Sequence, residues 1–140
     1  MNPFHKADER ERKHIIKAIR ETLHQDPRIV FAFLYGSFID GPAFRDIDVA
    51  VFVLNSETAS FWDVELHLAR RIEGALPRPL VADVRLINEA PLAFRFNVMR
   101  GELLFSRDDE MLAEFMVSTA RRYLDFVVLR DRYIREAITS

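Results

Sequence analysis

The chain has 140 residues, 49% hydrophobic and 30% charged, with a formal net charge of −2; this fits one globular domain, residues 1–140, and excludes a disordered or fibrous chain. The slight acidic excess argues against a direct nucleic-acid partner, and the lack of cysteine excludes disulfides and thiolate metal sites. No apolar run approaches the roughly 20 residues of a membrane span, and residues 1–13 lack a signal peptide's apolar core, so a soluble cytoplasmic protein with no membrane partner is expected.

Residues 7–25 predict a helix, because Ile15, Ile16, Ile19, Thr22 and Leu23 form one apolar stripe among charged neighbours. The charged stretch 6–13 reads as a solvated face of that helix. Asp26-Pro27 ends it, since a residue before proline is pushed out of helical space. Residues 28–35, RIVFAFLY, predict a buried central strand. Gly36-Ser37 closes that strand, and Gly41-Pro42 marks a turn within 38–45.

A second buried strand is predicted over 46–54, opening with Asp46-Ile47-Asp48. A helix follows over 60–74, with Phe61, Val64, Leu68, Ala69 and Ile72 near helical spacing and Gly74 closing it. Residues 80–87 predict a third strand, 91–99 a short helix with proline in its first turn, and 101–105 a short fourth strand. The last element is a helix over 108–138, roughly 45 Å long, which is longer than a small domain is wide. Its stripe of Leu112, Phe115, Met116, Thr119, Tyr123, Phe126 and Val127 is expected to pack on the sheet. Val128 and Leu129 widen the stripe and point to a partner surface. The fold class is α/β: a small mixed sheet flanked by helices, with a long C-terminal helix.

Asp46 and Asp48 are two apart on one strand, so their carboxylates share a face. Two acids that close repel, and a divalent cation relieves them; oxygen-only ligands suit magnesium or manganese. Asp83 interrupts the third apolar run in the same way. If that strand lies beside the second, Asp83 completes a three-carboxylate group suited to phosphoryl displacement. Gly36 lets the backbone come close to a ligand, and the Ser37 hydroxyl can donate to phosphate oxygens. Arg45, just before the acidic pair, is the candidate cation for those phosphates. Tyr35 reads as core, Asp40 as a turn residue and Arg85 as a partner for a nearby aspartate.

The string LYGSFIDGPAFRDIDVAVF, with VADVRLINEAP downstream and the Arg100-Gly101-Glu102-Leu103-Leu104-Phe105 stretch beyond it, resembles the minimal nucleotidyltransferases of the DNA polymerase β-like superfamily. More narrowly, it resembles the MNT antitoxins that pair with HEPN toxins. The resemblance implies the polymerase β-like nucleotidyltransferase fold, with Gly36 and Ser37 holding the triphosphate, Asp46 and Asp48 binding metal, and Asp83 ligating the catalytic metal and helping to deprotonate an acceptor hydroxyl. It further implies AMP transfer from ATP to a tyrosine of a HEPN-type toxin partner. The chain departs from the family pattern in its eight-residue spacer between Ser37 and Asp46 and in Asp40 before Gly41. Two other roles stay open at this point: neutralising a partner by binding alone, and modifying a small molecule of the aminoglycoside type.

Overall fold

The computed structural model describes residues 4–54 and 60–139. In chain order the elements are β1 (His5–Lys6), α1 (Glu9–His24), β2 (Ile29–Tyr35), α2 (Ser37–Asp40), β3 (Ala43–Phe44), β4 (Asp46–Val53), α3 (Phe61–Ala75), β5 (Val81–Leu86), α4 (Leu92–Met99), β6 (Glu102–Ser106) and α5 (Asp109–Thr139). The predicted elements are all present, each within a residue or two of its expected bounds. The ribbon of β1 with β3 and the short α2 are additional. Two-residue strands carry no periodic signal, and their pairing joins positions nearly forty residues apart.

The main sheet runs β5-β4-β2-β6, antiparallel except for the parallel pair β4 and β5. Every residue of β2 is buried, as a strand covered on both faces requires. Ile47, Val49, Val51 and Val53 of β4 enter the core beneath α1 and α3. The pleat therefore turns Asp46, Asp48, Ala50 and Phe52 to the opposite face, the one that carries α4 and α5. By the same alternation Ala82, Val84 and Leu86 of β5 join the first core, and Asp83 and Arg85 face with the acidic pair.

Helix α1 starts at Asp8, whose carboxylate accepts from the Glu11 N–H at 2.8 Å and satisfies a donor that the helix itself leaves open. Its face is not wholly solvated. The Arg12 guanidinium donates to the carbonyls of Phe38, Gly41 (2.9 Å) and Pro42 (3.1 Å), and lies over the Phe38 and Phe44 rings. One side chain thus ties down the loop between β2 and β4.

Both outer strands of the main sheet have edge groups satisfied by helix side chains. The N–H groups of Ala82 and Leu86 on β5 donate to Glu73 (2.9 Å) and Glu65 (2.8 Å) of α3. On β6 the Leu104 carbonyl accepts from Arg20 of α1 at 2.9 Å.

The expectation that the α5 stripe packs on the sheet holds only for its first half. Leu112, Phe115 and Thr119 are buried, and Tyr123 stacks on Phe96 of α4 at 3.9 Å. Leu124 and Phe126 are exposed, Phe126 at 51%, and Val128, Leu129, Tyr133, Ile134 and Ile138 are exposed beyond them. The reason is dimensional. A helix of 31 residues is about 46 Å long, whereas four strands span under about 20 Å. No described helix is long and apolar enough to cross a membrane.

Candidate active site

The end of β2, the start of β4 and the start of β5 meet at one place. Tyr35 pairs with Asp48 across the antiparallel ladder, and Asp48 pairs with Asp83 across the parallel one. Asp46 lies one pleat before Asp48 on the same face. The three aspartates singled out in the sequence are therefore neighbours by register, and each is half-buried.

Gly36 makes this closeness possible. Its φ of 81° and ψ of −160° fall where side chains are not tolerated, and a Cβ there would lie 2.2 Å from the Asp48 carboxylate. The chain then turns into α2, with the Gly36 carbonyl accepting from Ile39 (3.1 Å) and Asp40 (3.0 Å). Ser37 is exposed at the mouth of this turn.

The electrostatics follow from the crowding. Burial, then the charges of Asp83 and Asp46, push the Asp48 carboxyl up to about 6, against a smaller opposing pull from Arg85. Burial raises the Tyr35 hydroxyl above its ordinary range, and Asp48 and Asp83 add to this, so the phenol stays protonated. Asp83 accepts from Arg85 Nε at 3.1 Å, and this bond together with the aspartate's charge raises the guanidinium further.

An all-carboxylate donor set fits a hard divalent cation, and the negative field of Asp83 and Asp46, which adds to burial in raising the Asp48 carboxyl, is the field such a cation neutralises. As the side chains stand, no three acidic or histidine groups among the described residues are gathered closely enough to hold a metal ion, Asp83 being turned to Arg85.

Arg45 is exposed and its guanidinium lies 4.3 Å from the Phe4 ring centroid. A different cation lines the space beside the glycine turn. A cavity of about 230 Å³ is bounded by Tyr35, Gly36, Asp40, Asn97, Arg100 and Gly101. Gly101 sits so tightly against β2 that a Cβ would lie 2.1 Å from the Leu34 carbonyl oxygen, and this brings Arg100 to the turn. Sequence reasoning used Arg100 only as part of a family-like stretch. Its position beside Gly36 depends on β6 pairing with β2, which local pattern does not reveal.

Residues 17–110 match the family model described as polymerase beta, nucleotidyltransferase. No curated protein matches the chain. Among solved structures, a tri-AMPylated HEPN toxin of Shewanella oneidensis in complex with MNT antitoxin is similar at 22% identity and a TM-score of 0.58, over 91% of this chain and 96% of that one. The toxin–antitoxin MntA–HepT is similar at 22% identity and a TM-score of 0.59, over 94% and 99%. A toxin–antitoxin with AMP-PNP is similar at 24% identity and a TM-score of 0.61, over 91% and 98%. At these identities the likeness is one of fold.

Proposed function

This chain belongs to the polymerase β nucleotidyltransferase family, and from that premise we propose that it transfers AMP from ATP to a tyrosine hydroxyl of a HEPN-type toxin and thereby acts as that toxin's antitoxin. The observation that carries the reading is the register that sets Asp48 beside Asp83 and against Gly36. The AMPylated toxin and the AMP-PNP complex among proteins of the same fold support the choice of an adenine nucleotide and of a HEPN-type toxin as acceptor.

Asp46 and Asp48 would hold magnesium or manganese, with Asp83 as a further ligand; the bound ion supplies positive charge to the phosphates during displacement. Ser37 and the turn at Gly36 hold the triphosphate. Arg100 and Asn97 bind its outer phosphates from the neighbouring cavity, a charge-assisted contact well suited to a guanidinium. Asp83 draws the proton from the acceptor hydroxyl. The acceptor oxygen then bonds to the α-phosphorus as the bond from that phosphorus to the bridging oxygen breaks, and pyrophosphate leaves.

The direct test incubates the chain with α-labelled ATP, magnesium and the HEPN-type protein encoded beside it. Label is expected on the partner, and none with the Asp46→Asn, Asp48→Asn double variant. An unlabelled partner that the double variant neutralises as well as wild type would sink the catalytic reading and favour neutralisation by binding alone.

Two expected outcomes sharpen the assignment. Arg100→Ala should raise the KM for ATP about tenfold, the worth of one charge-assisted contact, without lowering Tm, because Arg100 is exposed. Arg45→Ala, measured beside it, decides whether the loop arginine shares that role. The exposed end of α5 is the proposed seat of the partner. Phe126→Glu combined with Ile134→Glu should weaken partner binding by on the order of a hundredfold while leaving Tm and ATP binding unchanged, as both residues lie outside the core. Calorimetric titration of partner into each chain reads this directly.

A further inference from the structure

A second cavity, of about 280 Å³, lies along the outer edge of β5, walled by Trp62, Leu66 and Ala69 of α3 and by Asp83, Val84 and Arg85 of the strand. Trp62 is 70% exposed and Leu66 41%, with Phe61 beside them at 39%. Large side chains left this open beside an acidic site need an occupant.

The strand edge itself is partly closed to a partner strand. The Ile87 N–H bonds inward to Val51, so the alternate N–H groups of Ala82, Val84 and Leu86 point outward, and Glu73 and Glu65 cap the first and the last of these. With the donors on either side of Val84 already taken, an added strand would lose most of its ladder there, and the cavity suits a side chain better than a backbone. The walls are the Trp62 indole, aliphatic carbons and the Glu65 side chain, whose carboxylate is engaged by the Leu86 N–H, and one end is the Asp83–Arg85 ion pair. A flat apolar ring with a hydroxyl at its tip matches both ends. A serine or threonine hydroxyl would leave the indole wall empty.

From this arrangement we infer that the β5-edge cavity binds the phenol ring of the acceptor tyrosine, with Trp62 as the stacking wall and Leu66 as the floor, so that an aromatic acceptor is chosen over an aliphatic one. The inference rests on the transfer reaction proposed above and names the groups that select its acceptor. Trp62 is a positioning residue here, and Asp83 remains the group that meets the hydroxyl.

Trp62 is the sole tryptophan, so its fluorescence reports occupancy without any turnover. Excited where tyrosine does not absorb, its emission should change saturably with N-acetyl-tyrosinamide and not with N-acetyl-serinamide. Leu66→Glu should weaken that response about tenfold. In the transfer assay Trp62→Ala should raise the KM for the protein acceptor about tenfold and leave the KM for ATP unchanged, with Trp62→Phe restoring most of the loss.

No emission change with the tyrosine amide, or an unaltered acceptor KM in Trp62→Ala, overturns the inference. So does an emission response to ATP alone, which would give the cavity to the nucleobase. A wild-type chain that labels no protein defeats the transfer reading itself, while the fluorescence titration still decides whether the cavity takes a phenol.

Discussion

Asp48→Asn is expected to abolish transfer and to stabilise the fold in the same stroke. The loss of activity should be on the order of a thousandfold or more, because the carboxylate that holds the cation is worth several kcal/mol in the displacement. The gain in stability follows from crowding. In the folded chain the Asp48 carboxyl is pushed up to about 6, against an ordinary value of 3.8, because burial and two neighbouring acids oppose its charge. A raised folded-state pKa means that its stabilising contribution is complete below about 3.8 and is lost as the pH climbs through about 6. Asparagine, nearly the same shape and never charged, does not suffer that loss. Melting curves without divalent cation should therefore coincide near pH 4 and separate by pH 8, with the variant melting higher. Magnesium should close the gap by stabilising wild type alone. Curves that stay parallel across this range would show that Asp48 is not held in a crowded, half-buried state.

Gly36→Ala is expected to damage both fold and function. The new methyl group would sit 2.2 Å from the Asp48 carboxylate, at a φ of 81° that side chains rarely adopt. Neither the turn nor the strand can yield without moving the acidic pair. A loss of about 2 kcal/mol is expected from backbone strain and displacement, together with a fall in transfer on the order of a hundredfold as the phosphate turn and the aspartates lose their mutual placement. Gly74→Ala provides the control. It lies near the end of α3 with nothing within 4 Å of its would-be Cβ, so alanine there should be neutral or stabilising by up to about 1 kcal/mol. Urea unfolding of the two variants side by side should give shifts of opposite sign, or a shift at Gly36 alone. Equal, small effects would remove the case for Gly36 as the element that lets Asp48 come close.

The parts of the site legible in the sequence are those whose signal is local. Asp48 and Asp83 stand out because each interrupts a run of β-branched and apolar residues, where an acid has no place in ordinary packing. The period of a strand then gives their common face once β4 and β5 are neighbours. What the sequence hides is whatever depends on distant pairing. Arg12 looks like one charge among several on a helix, yet it organises a loop about thirty residues away because α1 lies across it. Arg100 reaches the glycine turn only because β6 lies beside β2. The end of α5 misled for another reason: helical periodicity reports that a face is apolar and not what covers it.

The chemistry at the sheet's two borders has a consequence for how the chain behaves in company. On one border two edge donors are matched by carboxylates, and on the other one edge acceptor is matched by a guanidinium. Caps of this kind occupy groups that an added strand would need, so pairing with another copy is disfavoured at these places. The exposed length of α5 is then a surface that another protein must recognise by its side chains, apart from any extension of the sheet.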